Sequence, residues 1–77
     1  MTPIVYGRTA EEMLVALPPS DALRIVEAVE RFAMHGVGFV RRMLGESDET
    51  RLYLDGYYVT FARSEGFIRV LTISKRP

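Results

Sequence analysis

The chain has 77 residues, 48% hydrophobic and 26% charged, with zero formal net charge and no cysteine. That length sets one domain, residues 1–77, as the ceiling, and the composition is that of a folding chain and not a disordered one. Missing thiols exclude a disulfide framework and a thiolate metal site, and zero net charge argues against the strong nonspecific hold on nucleic acid that a basic domain shows.

The N-terminal stretch MTPIVYGRTAEE lacks a basic segment followed by an apolar one, and no apolar run approaches the roughly 20 residues that span a bilayer. A cytoplasmic address without membrane association is therefore expected. Its first element is a β-prone segment, Pro3-Ile4-Val5-Tyr6, closed by Gly7. Thr9 stands three residues before Glu12, a capping-box spacing that predicts a helix starting there. Ala10, Met13, Leu14 and Leu17 give that helix one apolar stripe, and Pro18-Pro19 ends it. Pro19 also suits the first turn of a second helix, with Ser20 and Asp21 placing oxygens near its positive end. Ala22, Ile25, Val26, Val29, Phe32 and Ala33 carry the period onward until Gly36 supplies a stop. His35, next to that stop, fits a cation at a helix C-terminus better than a catalytic base; alone, it cannot build a metal centre.

From Gly36 to Thr50 the periodicity fails. Phe39, Val40, Met43 and Leu44 could form a turn of helix, but Gly45 and the polar run Glu46-Ser47-Asp48-Glu49 read as loop, so this segment is expected to be a connector. Three strand signals follow: Arg51–Leu54, Tyr57–Arg63 and Phe67–Ile73, separated by turns at Asp55-Gly56 and Ser64-Glu65-Gly66. Strands on turns this short are antiparallel neighbours. Alternation then predicts Leu52, Leu54, Val59, Phe61, Leu71 and Ile73 under the helices, leaving Arg51, Tyr53, Tyr58 and Thr60 on an uncovered face.

Charge is unevenly placed. Residues 1–35 hold three basic and five acidic side chains, residues 36–77 seven basic and five acidic, and nine of the ten basic residues are arginine. The arginine fork suits phosphate and carboxylate, although a coding bias would produce the same preference. Arg51 reads either as a strand residue pairing with Asp55 or Glu49 or as a phosphate contact. Tyr53 and Tyr58 read as a packed cross-strand pair or as a platform for bases or a partner helix, and Tyr57 as core or edge filler. Arg41 and Arg42 fit a solvated connector or the rim of a partner-binding surface.

The succession of strand, helix hairpin, Met43-Leu44-Gly45 connector and meander with Gly56-Tyr57 heading its middle strand resembles the RelE/ParE family of toxin–antitoxin toxins. Four stretches carry the likeness: Thr9-Ala-Glu-Glu through Leu17-Pro18, Arg41-Arg-Met-Leu-Gly45, Arg51-Leu-Tyr-Leu-Asp-Gly-Tyr-Tyr58, and Phe67 through Arg76. The resemblance implies an α+β fold of order β-α-α-β-β-β, its helix hairpin packed on one face of a mainly antiparallel sheet. It also implies a type II toxin that arrests growth through translation (mRNA) or DNA gyrase, is neutralised by a cognate antitoxin, and needs no small-molecule cofactor.

In the ribosome-dependent RNases of that family, basic residues on the open sheet face and near the C-terminus bind mRNA and stabilise phosphoryl transfer. The resemblance places a catalytic set at Arg51, Tyr53, Tyr58 and Arg76, with nucleic-acid or partner contacts at Arg41, Arg42 and Lys75. Tyr53 falls where a basic residue is usual, Tyr58 where an arginine would neutralise charge on the cleaved phosphate, and the chain stops at Pro77, before the position of a terminal tyrosine. Weak or absent RNA cleavage is accordingly expected. Two alternatives are a catalytically inactive binding module of the same fold and an inhibitor of another nucleic-acid machine.

Overall fold

Gly7 is where the chain turns from strand to helix, and the turn needs a residue without a side chain. In the computed structural model, which describes residues 2–43, 45 and 48–77, the Gly7 amide donates to the Val70 carbonyl at 2.8 Å, and a Cβ there would stand 3.0 Å from the same oxygen. Before it lies β1 (Ile4–Tyr6), and after it α1 (Arg8–Ala16). The helix thus begins one residue ahead of Thr9, with Gly7 at the cap position and no side-chain cap bond. The capping box expected from Thr9 and Glu12 does not form, because Thr9 already lies inside the first turn.

Leu17 is extended before Pro18, as a residue preceding proline must be, and α2 (Pro19–His35) starts with proline in its first turn. It stops where predicted: Gly36 takes φ 68°, the left-handed conformation that glycine adopts without a steric penalty, and donates to the Phe32 carbonyl at 2.8 Å.

The segment read as a connector is not one. It contains a fourth antiparallel strand, β2 (Phe39–Arg42), paired with β3 (Glu49–Leu54) in the register Phe39↔Tyr53, Val40↔Leu52, Arg41↔Arg51 and Arg42↔Thr50. Met43 continues the ladder, donating to the Glu49 carbonyl at 2.9 Å, so no helical turn forms there, and Glu49 belongs to a strand instead of a loop. Leu44, Glu46 and Ser47 of the predicted loop fall outside the described residues. Two-residue turns then lead into β4 (Tyr57–Ser64) and β5 (Phe67–Lys75).

The resulting sheet has order β1-β5-β4-β3-β2, antiparallel throughout except for the parallel β1–β5 pair. Both helices cover one face, α1 against β5 and α2 against β3 and β4, which is the predicted α+β arrangement enlarged by β2. Among the described residues no helix is long and apolar enough to cross a membrane.

Ala10, Ile25, Val29, Phe32, Leu52, Tyr57, Val59, Phe61, Ile68, Val70 and Ile73 are buried between the layers, with the Phe32 and Phe61 rings 5.2 Å apart at the junction. Leu71 was expected there and is only half-buried. A β-bulge explains the exchange: Thr60 pairs with Thr72 but Phe61 with Val70, so Leu71 is the extra residue and alternation reverses across it. Ile68 and Val70 consequently point inward along with Ile73. Leu54 is half-buried and packs against the core edge.

Candidate functional site

Outward positions of β2, β3 and β4 line up in two cross-strand rows on the face without helices. Phe39, Tyr53 and Tyr58 form one row, since Tyr53 pairs with both of the others, and Arg41, Arg51 and Thr60 form the next. Ser74 and Thr72 on β5 extend the two rows. Thr60, expected to be uncovered, does face outward but retains only 8% of its exposure, hemmed in by its neighbours in the row.

The side chains of the aromatic row touch in series. Phe39 and Tyr53 meet edge-on with centroids 6.0 Å apart, and Tyr53 and Tyr58 lie 5.8 Å apart at 42°. Arg51 stacks over the Tyr58 ring at 4.5 Å and Arg76 over the Tyr53 ring at 5.3 Å, both within cation–π range. Arg76 is held from behind: its amide donates to the Gly56 carbonyl at 3.0 Å and its Nη1 to the Leu54 carbonyl at 3.2 Å. Arg51, Tyr53, Tyr58 and Arg76 therefore come together as one cluster.

Arg41 joins them. It stands directly across from Arg51, and Arg41, Arg42, Met43, Arg51 and Tyr53 line an open cleft of about 320 Å³. Like charges in facing positions repel, and the Nε of Arg51 is buried with no hydrogen-bond partner. Among the described residues no carboxylate lies within ion-pair distance of Arg41, Arg51 or Arg76, so the pairing of Arg51 with Asp55 or Glu49 does not occur. Such an arrangement is short of an anion.

Two residues behave differently. Arg42 has the inward register and binds Asp48 at 3.2 Å, a pair so exposed that it contributes little. Lys75 pairs in register with Tyr57 and lines a cleft on the helix side with Met13 and Leu17, away from the cluster. Sequence reasoning missed Phe39, whose 72% exposure on the open face follows from β2. The usable signal was the β-prone pair Phe39-Val40 after Gly36 and Gly38, which the helical spacing of Met43 and Leu44 obscured.

On the helix side, Tyr57 donates to Asp21 Oδ2 at 2.7 Å, tying α2 to the head of β4. The bond from Tyr57 holds the Asp21 carboxyl below its usual value, and donating to that carboxylate raises the phenol. Tyr57 is thus a core residue with an anchored hydroxyl. Tyr6 is also raised, first by burial and then by Glu30, and its hydroxyl is buried without a partner.

No known family profile matches the chain, and no curated protein matches it either. Solved structures do. The archaeal RelE–RelB complex from Pyrococcus horikoshii superposes with a TM-score of 0.80 at 21% identity, covering 99% of this chain and 97% of the other. The chain has a RelE-like fold. The RelB–RelE antitoxin–toxin complex from Methanococcus jannaschii (TM-score 0.76, 14% identity, 94% and 89% coverage) agrees. So does the toxin–antitoxin complex RelBE2 from Mycobacterium tuberculosis (0.69, 21%, 97% and 98%).

Within this RelE-like sheet the cluster has a definite chemical repertoire. Its guanidinium forks can bind phosphate or carboxylate, and its rings can stack on flat groups. The four clustered residues include no histidine, carboxylate or lysine, so proton transfer would fall to a tyrosine or to a group brought by the partner.

Proposed function

We propose that the chain is the toxin of a type II toxin–antitoxin pair, acting in the cytoplasm on translated mRNA through its open sheet face. The observation that carries this reading is the contact series Arg51–Tyr58–Tyr53–Arg76, which joins cations without an ion-pair partner among the described residues to stacking rings on a face no helix covers. Phosphates meet the arginines and bases meet the rings, the usual division of labour in single-strand binding. The likeness to toxins solved in complex with RelB-type antitoxins supports a protein antitoxin as the neutralising partner. An acidic segment laid across the arginines would both satisfy them and block RNA.

Tyr58 supports a specific quality of action. A phenol at this position cannot neutralise developing phosphate charge as a guanidinium can, so cleavage is slow and RNA engagement dominates. The same observation favours a second reading, a binding module that has kept the surface and lost the activity. Inducing the chain alone in a bacterial host separates them: growth arrest with amino-acid incorporation falling before thymidine incorporation is expected, and Arg51→Ala with Arg76→Ala should relieve it. Unimpaired growth would favour the binding module, and an early block in thymidine incorporation would favour gyrase as the target.

A further inference from the structure

Phe39 has no assigned task, yet its ring is more exposed than that of any other aromatic residue on the open face. It sits on an edge strand at 72% exposure, aligned with Tyr53 and Tyr58. Tyr53 and Tyr58 each carry a guanidinium on one ring face, whereas among the described residues Phe39 makes one aromatic contact, edge-on with Tyr53, and carries no guanidinium. A ring this open, in line with two further rings and beside a row of arginines, offers an uncovered face to a flat group.

The spacing says what. Successive centroids lie 6.0 and 5.8 Å apart. That exceeds the roughly 3.4 Å per nucleotide along one strand of a helix, so a stacked helical strand cannot place a base on each ring, while an extended strand with separated bases can. Two residues along the strands, roughly 6.5 Å away, runs the Arg41–Arg51–Thr60 row, cations and a hydroxyl parallel to the rings. A protein strand laid on the same face would satisfy the arginines only if acidic, and would not account for the ring periodicity.

Resting on the reading that this face binds RNA, we propose that Phe39 is the outer platform of a three-ring track, Phe39–Tyr53–Tyr58, that takes consecutive bases of an extended single-stranded RNA whose phosphates face Arg41 and Arg51. Bases at the inner rings stack on the tyrosines or on the guanidinium planes already lying there. The base at Phe39 meets a bare ring.

The test is fluorescence anisotropy with a fluorescein-labelled single-stranded oligouridylate roughly six nucleotides long, whose bases stack little on one another and which reaches across all three rings. Phe39→Ala should weaken binding roughly tenfold, the loss of one base stack, with Phe39→Trp restoring it and Phe39→Leu failing to. Circular dichroism melts of each variant confirm the fold. Affinity that survives in Phe39→Leu would make the residue a generic apolar contact and overturn the track. Binding that falls with Arg51→Ala but not with Phe39→Ala would overturn the track while leaving the RNA reading intact. Absence of saturable binding by the unsubstituted chain would overturn the RNA reading itself. If Phe39→Ala leaves RNA affinity unchanged but abolishes retention of the antitoxin, the ring serves a protein partner and the track is wrong.

Discussion

Replacing Arg51 with methionine separates what this residue does for the fold from what it does for the site. Methionine keeps an unbranched stem over the Tyr58 ring and removes the guanidinium that sits 4.5 Å from its centroid. The lost cation–π contact is worth about 0.5–1 kcal/mol at an exposed position. Against it stand two gains. The buried, partnerless Nε disappears, a group whose desolvation costs about 1–3 kcal/mol when complete, and the facing charge of Arg41 is no longer opposed, worth about 0.2–1 kcal/mol. The balance predicts a variant as stable as the parent or more stable by about 1 kcal/mol, which in a chain this small raises Tm by about 4–8 °C. Urea unfolding followed by circular dichroism gives the stability, and induced growth arrest gives the function, which should be lost. A variant destabilised by more than about 1 kcal/mol would refute the reasoning, because Arg51 would then be held in place by the needs of folding. Retained growth arrest would refute the functional half.

Three further outcomes test the packing. Ile68→Ala should cost about 2–5 kcal/mol and Leu71→Ala well under half of that, since the bulge buries the first and not the second; equal losses in urea unfolding would place the register wrongly. Stability measured by thermal melts across pH should form a plateau to whose acid limb Asp21 contributes and to whose alkaline limb Tyr57 and Tyr6 contribute. Asp21, lowered in the folded chain, contributes stability above the unfolded carboxyl value of 3.8 and loses it as pH falls through the folded value. Tyr57, raised, contributes stability below the unfolded phenol value of 10.0 and loses it as pH rises through the folded value; Tyr57→Phe should flatten the alkaline limb. Tyr6→Phe removes a buried hydroxyl that has no partner, so stability should hold or rise by about 1 kcal/mol, and a clear drop in Tm would reveal a bond to that oxygen.

What was legible in the sequence had local causes. The Pro18-Pro19 break, the apolar stripe of α2 and the Gly36 stop are written in neighbouring residues, and the hairpins in Asp55-Gly56 and Glu65-Gly66. The outward placement of Arg51, Tyr53 and Tyr58 followed from parity alone, because β3 and the head of β4 run without irregularity. Failure began where the cause was distant. Phe39–Arg42 becomes a strand because β3 offers it an edge, and four residues carry too weak a signal of their own to announce it. The bulge at Leu71 arises from the pairing of β5 with β4, and nothing in Phe67–Ile73 distinguishes the residue that drops out of step. Arg76 was placed in the site by resemblance; its route there, through the Leu54 and Gly56 carbonyls at the far end of the neighbouring hairpin, has no local signature.

The two tyrosines that stand where the resemblance would place basic residues look like separate departures in the sequence, five positions apart. In the sheet they are one. Tyr53 and Tyr58 are direct cross-strand partners with rings 5.8 Å apart, so two cations at these positions would face each other much as Arg41 and Arg51 do one row away. Exchanging one alone would set a phenol against a guanidinium, and exchanging both yields a stacked aromatic pair that then seats Arg51 and Arg76 from either side. In this row the positive charge is carried by Arg51 and Arg76, whose guanidinium groups lie over the rings. Under the proposed function, a surface built that way would hold phosphates and bases but would lack a fixed cation beside the scissile bond. The proposed binding and the proposed weakness of cleavage would then have the same physical origin, and Tyr58→Arg in this chain should gain RNA cleavage only at the expense of the Arg51 stack.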